Sequence, residues 1–248
     1  MSEAIRTAVL LVAGTGSRLR PLTNNLPKAL VPLGDESVLL RIVRQLRHHG
    51  ISRFLFATGY CEEALRAAVA PLEIESEFCR NDDYASTQNS VSLGKCAEAI
   101  RGESFVKLDG DLVVRDDVLD KLFADREPMS VAVDTSRKLD AEAMKVQIDD
   151  NGFICDFGKG LPIVNAQAES IGIEKLDAQS GSLVLSRIRS LMSQGTTDKY
   201  YEDVYADLIH EGLLHPKAVD VAGAAWSEID TLDDLRLAKA LVAGESEA

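Results

Sequence analysis

A chain of 248 residues, 46% hydrophobic and 27% charged, has the composition of an ordered globular protein large enough to bury a substantial core. Its 40 acids against 27 bases leave a net charge of −13, which excludes a nucleic acid as main partner but not a small anion in a locally cationic pocket. The cysteines Cys61, Cys79, Cys96 and Cys155 lack CxxC spacing and read as reduced thiols. The apolar run Ala8 to Val12 is too short for a signal-peptide core or a membrane span, so a soluble, cytoplasmic protein with no membrane partner is expected.

Thr7 to Val12 is predicted as a fully buried strand stopped by Gly14. After a long loop, Ser37 caps a predicted helix through VLLRIVRQLRHH, which Gly50 ends. SRFLFATGY is a second strand, CEEALRAAVA a helix ended by Pro71, and EIESEF a third strand. SVSLGKCAEAI follows as a helix, and SFVKLDGD as a fourth strand ending in acids. Strand and helix alternate to this point, which implies βαβ units and a parallel sheet. SVAVDT, MKVQID, FICDFG and ESIGIEKLD are further strands, with MKVQID and FICDFG joined through Asp149-Asp150-Asn151-Gly152 as a hairpin. Helices are predicted near Ser182–Ser193 and Glu202–His210, then a strand AVDVAG and a final helix from about Leu232 to Val242, with residues 243–248 frayed. The fold class is α/β: a Rossmann-like, mostly parallel sheet flanked by helices, with an antiparallel portion in the second half, all in a single domain 1–248.

The first loop carries chemistry. GTGSRL opens like a dinucleotide fingerprint but places Leu19 where the third glycine belongs, and no G-K-[ST] closes a P-loop. The small residues Ala13, Gly14, Thr15 and Gly16 nevertheless let backbone N–H groups approach an anion or a base closely. Arg18 can fork onto a phosphate, and Lys28, held by Pro27, adds a compact charge.

LVAGTGSRLRPLTNNLPKALVPLG resembles the signature of nucleotidyltransferases that join a nucleoside triphosphate to a phosphorylated small molecule, roughly L-A-A-G-x-G-x-R-L and then P-K-x-L. Val12 departs from it at a position usually held by alanine. NDDYASTQNSVSLGKC, AMKVQIDDNGFICDFGKGL, ESIGIEKL and YYEDVYADLI are similar to the cytidylyltransferases of phosphocholine, with those of aminoethylphosphonate and inositol phosphate as near relatives.

The resemblance implies a nucleotide-binding half, 1–115, and an acceptor-binding half, 116–248. It implies CTP and a small phosphorylated or phosphonate acceptor as partners and Mg²⁺ as cofactor. Arg18, Lys28 and Asp111 would be catalytic, and Val12, Ala13, Gly14, Thr15 and Gly16 would hold the nucleotide. Gln88 or Asn89 would read the base edge with a side-chain amide. Metal would fall to Asp111 with Asp109 beside it, and downstream to Asp230 with Glu228 two residues before. Each pair has the i, i+2 spacing that puts both carboxylates on one face of a strand, where they suit Mg²⁺, although Asp230 could instead cap the final helix.

Lys145, Lys159, Glu169 and Trp226 are candidates for the acceptor, with Glu174 as an alternative to Glu169. Trp226 with Tyr60, Tyr84, Tyr200 and Tyr201 could form an aromatic cage for a quaternary ammonium, though a core or rim place is the plainer expectation for any one of them. Glu202 and Asp203 are read as acids favouring a helix N-terminus. A sugar-1-phosphate uridylyl- or guanylyltransferase shares the loop and the acids, and a nucleotide-binding regulatory module without catalysis is the rival from another class. Head group and oligomeric state, a homodimer included, stay open.

Overall fold

The apolar run after Arg6 forms β1 (Thr7–Leu11), whose alternation sets the plan of the molecule: Ala8 and Leu10 enter one hydrophobic core and Val9 the other. In the computed structural model, which describes residues 4–245, β1 pairs in parallel with β2 (Arg53–Thr58) on one side and β4 (Phe105–Asp109) on the other. The connections are α1 (Val38–His48), α2 (Glu62–Val69), β3 (Glu75–Arg80), α3 (Asn89–Lys95) and α4 (Ala97–Ile100). Ser37 caps α1 by accepting the Leu40 N–H, as the sequence predicts.

The chain then adds β5 (Leu112–Val114), α5 (Asp116–Ala124), β6 (Met129–Asp134), β7 (Lys145–Ile148), β8 (Ile154–Gly158) and β9 (Ala168–Leu176). It ends in α6 (Ala178–Ser193), α7 (Tyr201–His210), β10 (Lys217–Asp220), β11 (Trp226–Glu228) and α8 (Leu232–Glu245). The main sheet has the order β10-β6-β9-β4-β1-β2-β3, with β9 antiparallel to both neighbours and the β7–β8 hairpin joined to it. The sheet is thus parallel where strand and helix alternate and mixed afterwards. Residues of α1, α2, α5 and α8 cover one face; residues of α3, α4, α6 and α7 cover the other.

Several expectations are corrected. SVSLGKCAEAI does not form one helix: the chain tightens at Cys96, whose N–H donates to Leu93 O, and splits into α3 and α4. α6 begins at Ala178, ahead of the expected Ser182, because Asp177 caps it by accepting the Ser180 N–H. β5, α5 and β11 go unpredicted; the two strands have three residues each, too few for a period to show. α8 continues through Glu245 where fraying was expected, and residues 246–248 lie outside the described residues.

Two features of this topology place the site. β1 continues to β2 on one side and β4 lies on the other, so the strand order reverses between β1 and β4, and a crevice opens beyond their carboxyl ends. β5 and β11 form a separate antiparallel pair, Leu112 opposite Glu228, which brings the end of the chain to the end of β4.

Candidate active site

The loop after β1 is built to be narrow. Gly16 has φ 59°, and a Cβ there would lie 2.9 Å from the Lys28 Cβ, so glycine is needed both for the backbone and for the approach. Thr23 Oγ1 donates to Gly16 O at 2.7 Å and fastens the two arms of the loop. Val12 and Ala13 are buried, Gly14 is exposed, and Thr15 and Gly16 are half-buried.

Gly110 delivers Asp111 to this loop. Its N–H donates to Leu11 O, and a Cβ there would meet Val12 Cγ1 at 2.4 Å, so the turn after β4 can press on the end of β1 only as glycine. Because the chain turns at Gly110, Asp109 and Asp111 do not share a strand face, which corrects the i, i+2 reading. From the far end, Ile229 N–H donates to Asp111 O and sets Asp230 beside Asp111. The helix-cap alternative for Asp230 is closed: Asp234 and Thr231 bond each other across the start of α8, leaving the Asp230 carboxylate to the cleft.

Loop and acids converge. Lys28 Nζ lies 2.7 Å from Asp111 Oδ2 and 2.6 Å from Asp230 Oδ1, and Arg18 reaches Asp230 Oδ2 at 2.8 Å. Burial pulls the Lys28 ammonium toward neutrality, but Asp111 and Asp230 outweigh it and its pKa rises. Lys28 in turn, with Arg18, holds Asp230 below the usual carboxylate range against burial. Oxygens of Asp111, Glu228 and Asp230 lie within 4.8 Å of one another, and Asp111 Oδ1 is buried with no hydrogen-bond partner. Three hard oxygen donors, one of them unpaired, fit a divalent cation such as Mg²⁺.

Asp109 does not join them. Its Oδ2 accepts from the Tyr201 hydroxyl at 2.9 Å, and its Oδ1 lies 3.2 Å from Lys107 Nζ. Gly172, at φ +77° in β9, makes room: a Cβ there would sit 2.5 Å from Asp109 Oδ2. Lys107 is fully buried, 2.7 Å from Glu174 and over the Tyr201 ring at 3.6 Å. Glu174 is therefore enclosed with Lys107 beneath the cleft and does not meet an acceptor.

A cleft of about 290 Å³ extends from these acids toward β7 and α7, with Asp109, Asp111, Lys159, Glu169, Trp226, Glu228 and Asp230 among its walls. Among the candidates for the acceptor and the base edge, Lys145 and Gln88 also stand outside it. Lys145 is 2% exposed, and its ammonium donates to the carbonyls of Asp140, Ala141 and Ala143, so it ties down that loop and is not free for a phosphate. Gln88 caps α3, with its N–H on Thr197 O. Asn89 does line the cleft, but its Oδ1 accepts the Tyr201 N–H, so the oxygen meant for a base amine is already engaged.

The aromatic cage does not assemble. Tyr60 and Tyr84 pair with each other, and the Tyr60 hydroxyl donates to Thr23 O. Tyr201 is buried. Trp226 donates its indole N–H to Asp134 at 2.7 Å and carries Arg137 on its ring at 3.6 Å. The α7 acids also divide. Asp203 accepts the Tyr200 N–H and caps the helix as expected, whereas Glu202 is buried in the cleft wall. The pattern YYEDVYADL hid this because Glu202 and Asp203 occupy equivalent first-turn positions in sequence, and only the packing of α7 separates them.

Residues 8–194 match the family of MobA-like NTP transferase domains, and the chain belongs to that family; it is a nucleotidyltransferase. Among its relatives, the CTP:phosphoglutamine cytidylyltransferase of Campylobacter jejuni is 29% identical over 93% of this chain and 98% of that protein. The choline-phosphate cytidylyltransferase of Streptococcus pneumoniae is 25% identical over 96% and 99%. The structure of the inositol-1-phosphate CTP transferase from T. maritima has the same fold, with a TM-score of 0.82 at 22% identity, covering 98% of this chain and 97% of that one.

Proposed function

We propose that the chain transfers the cytidylyl group of CTP to a small phosphorylated or phosphonate acceptor and releases pyrophosphate, with Asp111, Glu228 and Asp230 holding Mg²⁺. The observation that carries this is the meeting of Lys28 and Arg18 with Asp111 and Asp230 at the point where the strand order reverses. The full-length likeness to cytidylyltransferases supports CTP as the donor.

An acceptor oxygen forms a bond to the α-phosphorus while the bond to the bridging oxygen of the β-phosphate breaks, and the electron pair departs on pyrophosphate. The attacking phosphate or phosphonate is an anion at neutral pH, so no side chain has to take a proton from it. What remains is the gathering of anions and the charge on the transferring group, which positioning and fixed cations answer. When bound, the divalent ion supplies Lewis-acid stabilisation of phosphoryl oxygens. Lys28, whose raised pKa keeps it charged, would face the α-phosphoryl group, and Arg18, exposed beside Asp230, the pyrophosphate. Base and ribose would lie against exposed Gly14, where a Cβ would meet nothing within 4 Å.

The test is pyrophosphate release from each of the four nucleoside triphosphates with Mg²⁺ and a panel of phosphorylated acceptors. CTP alone should support release, and Asp111→Asn should abolish it while the circular dichroism spectrum is kept. Release dependent on UTP or GTP with a hexose phosphate would overturn the reading, as would a turning-over Asp111→Asn protein.

A further inference from the structure

We propose that Tyr201 is a positioning residue for the metal. Its hydroxyl, with the ammonium of Lys107, keeps the Asp109 carboxylate out of the ion's coordination and leaves Asp111, Glu228 and Asp230 as the protein's donors. This rests on the cytidylyl-transfer reading with its metal assignment, and deepens it. Asp109 stands in the wall of the same cleft as those three acids, two residues from Asp111, with its side chain 27% exposed. A carboxylate so placed is a ready fourth donor for a hard cation. Both of its oxygens are engaged from below instead: Oδ2 accepts from the Tyr201 hydroxyl at 2.9 Å, and Oδ1 from Lys107 Nζ at 3.2 Å.

Three separate segments supply this restraint. β9 gives up a side chain for it: Gly172 has φ +77°, and a Cβ there would lie 2.5 Å from Asp109 Oδ2. α7 supplies Tyr201, fully buried, with its ring 3.6 Å from Lys107 Nζ and its N–H fixed by Asn89 Oδ1 at 2.9 Å, so the hydroxyl has a set place. β4 supplies Lys107, also fully buried and already 2.7 Å from Glu174, so it does not depend on Asp109 for a counter-charge. What the arrangement achieves is to turn one acid away from its neighbours. Magnesium demands octahedral coordination, and phosphoryl oxygens and waters need the positions that three carboxylates leave. A fourth carboxylate would hold the ion more tightly, displace a phosphoryl oxygen and weaken the ion as a Lewis acid.

Tyr201→Phe removes the hydroxyl and keeps the ring over Lys107. Mn²⁺, which prefers the same oxygen donors as Mg²⁺, would be titrated into the purified protein without nucleotide and followed by electron paramagnetic resonance. Turnover would be measured with the nucleotide and acceptor that the wild type uses best. Tyr201→Phe should bind Mn²⁺ at least about 3-fold more tightly than wild type while kcat falls roughly 10- to 100-fold. Adding Asp109→Asn should bring the affinity back to within about 2-fold of wild type, since no fourth carboxylate remains. A purely structural role for Tyr201 would lower stability and turnover without tightening the ion. Asp109→Asn alone should weaken Mn²⁺ binding less than about 5-fold, against at least about 30-fold for Asp111→Asn, and this pair decides the point even where Tyr201→Phe misfolds. Unchanged or weaker Mn²⁺ binding by folded Tyr201→Phe, unchanged turnover in it, a tightening that survives Asp109→Asn, or an Asp109→Asn protein that loses the ion as Asp111→Asn does would overturn the proposal and leave the cytidylyl reading standing. A wild-type protein that binds no Mn²⁺ would overturn the proposal and the metal assignment together. The expected pattern with turnover on UTP or GTP in place of CTP would uphold the proposal and refute the cytidylyl reading instead.

Discussion

Lys28 occupies the position between Asp111 and Asp230 that a divalent cation would claim, and its removal therefore has a consequence beyond catalysis. In Lys28→Met the side-chain volume is kept and the ammonium is lost from contacts of 2.7 and 2.6 Å. Two carboxylates within 4.8 Å, with Glu228 beside them, then repel one another, by about 3.5 kcal/mol per pair at an effective dielectric constant of about 20. Breaking a buried ion pair costs roughly 3–5 kcal/mol. The Asp111 and Asp230 side chains are 22% and 30% exposed and Arg18 remains nearby, so the expected loss is smaller, about 2 kcal/mol. In a chain of this length that lowers the melting temperature by roughly 4–8 °C in EDTA. Magnesium in the millimolar range replaces the missing charge, so it should raise the variant's melting temperature more than the wild type's, where Lys28 competes for the same oxygens. Turnover should still fall about 10²–10³-fold, because the metal does not substitute for a donor on the phosphoryl group. Thermal denaturation with EDTA and with a magnesium series measures the first two quantities, and pyrophosphate release the third. A variant as stable as wild type in EDTA, or an equal magnesium shift in both proteins, would refute the reasoning.

Gly172→Ala should destabilise the protein by about 1–3 kcal/mol, since φ is +77° and the new methyl would meet Asp109 Oδ2 at 2.5 Å; Gly34→Ala, with nothing within 4 Å, is the control, and urea titration of both checks the contrast. Glu202 gives a pH dependence. Burial, with Asp109 and Glu174 nearby, outweighs Lys107 and a hydrogen bond with Tyr201 and raises its pKa to about 8. The raised value favours the protonated carboxyl in the folded state, a stabilisation complete below about pH 4.5 and lost as the pH climbs through 8. Glu202→Gln should therefore match wild type near pH 5 and exceed it in stability at pH 8.5, and denaturant midpoints across that range that ran parallel would contradict the assignment.

What the sequence reveals here follows from how local the determining interactions are. Ala8 to Val12, Phe54 to Ala57 and their flanking glycines declare buried parallel strands because strand burial on both faces needs nothing beyond a short apolar run. Arg18, Lys28, Asp111 and Asp230 were identifiable because each sits in a motif whose spacing is set by a nearby turn. That they meet was not readable from those turns: it depends on three-residue strands, β5 and β11, pairing across more than a hundred residues. The surroundings of Asp109 and Glu202 were not readable for a related reason. In sequence, Asp109 looks like the twin of Asp111, and Glu202 like the twin of Asp203. Gly110 turns one carboxylate of the first pair toward Tyr201 and Lys107, and the seating of α7 buries one of the second. A carboxylate at a strand end or helix start reports that charge is wanted there. Which ligand it serves is decided by the partner that shields or exposes it, and in both pairs that partner comes from a distant part of the chain. The loop that carries Arg18 and Lys28, one continuous stretch of chain, was accordingly the legible part of the site. The walls of the cleft, assembled from the segment before β7, β9, the start of α7 and β11, required the fold.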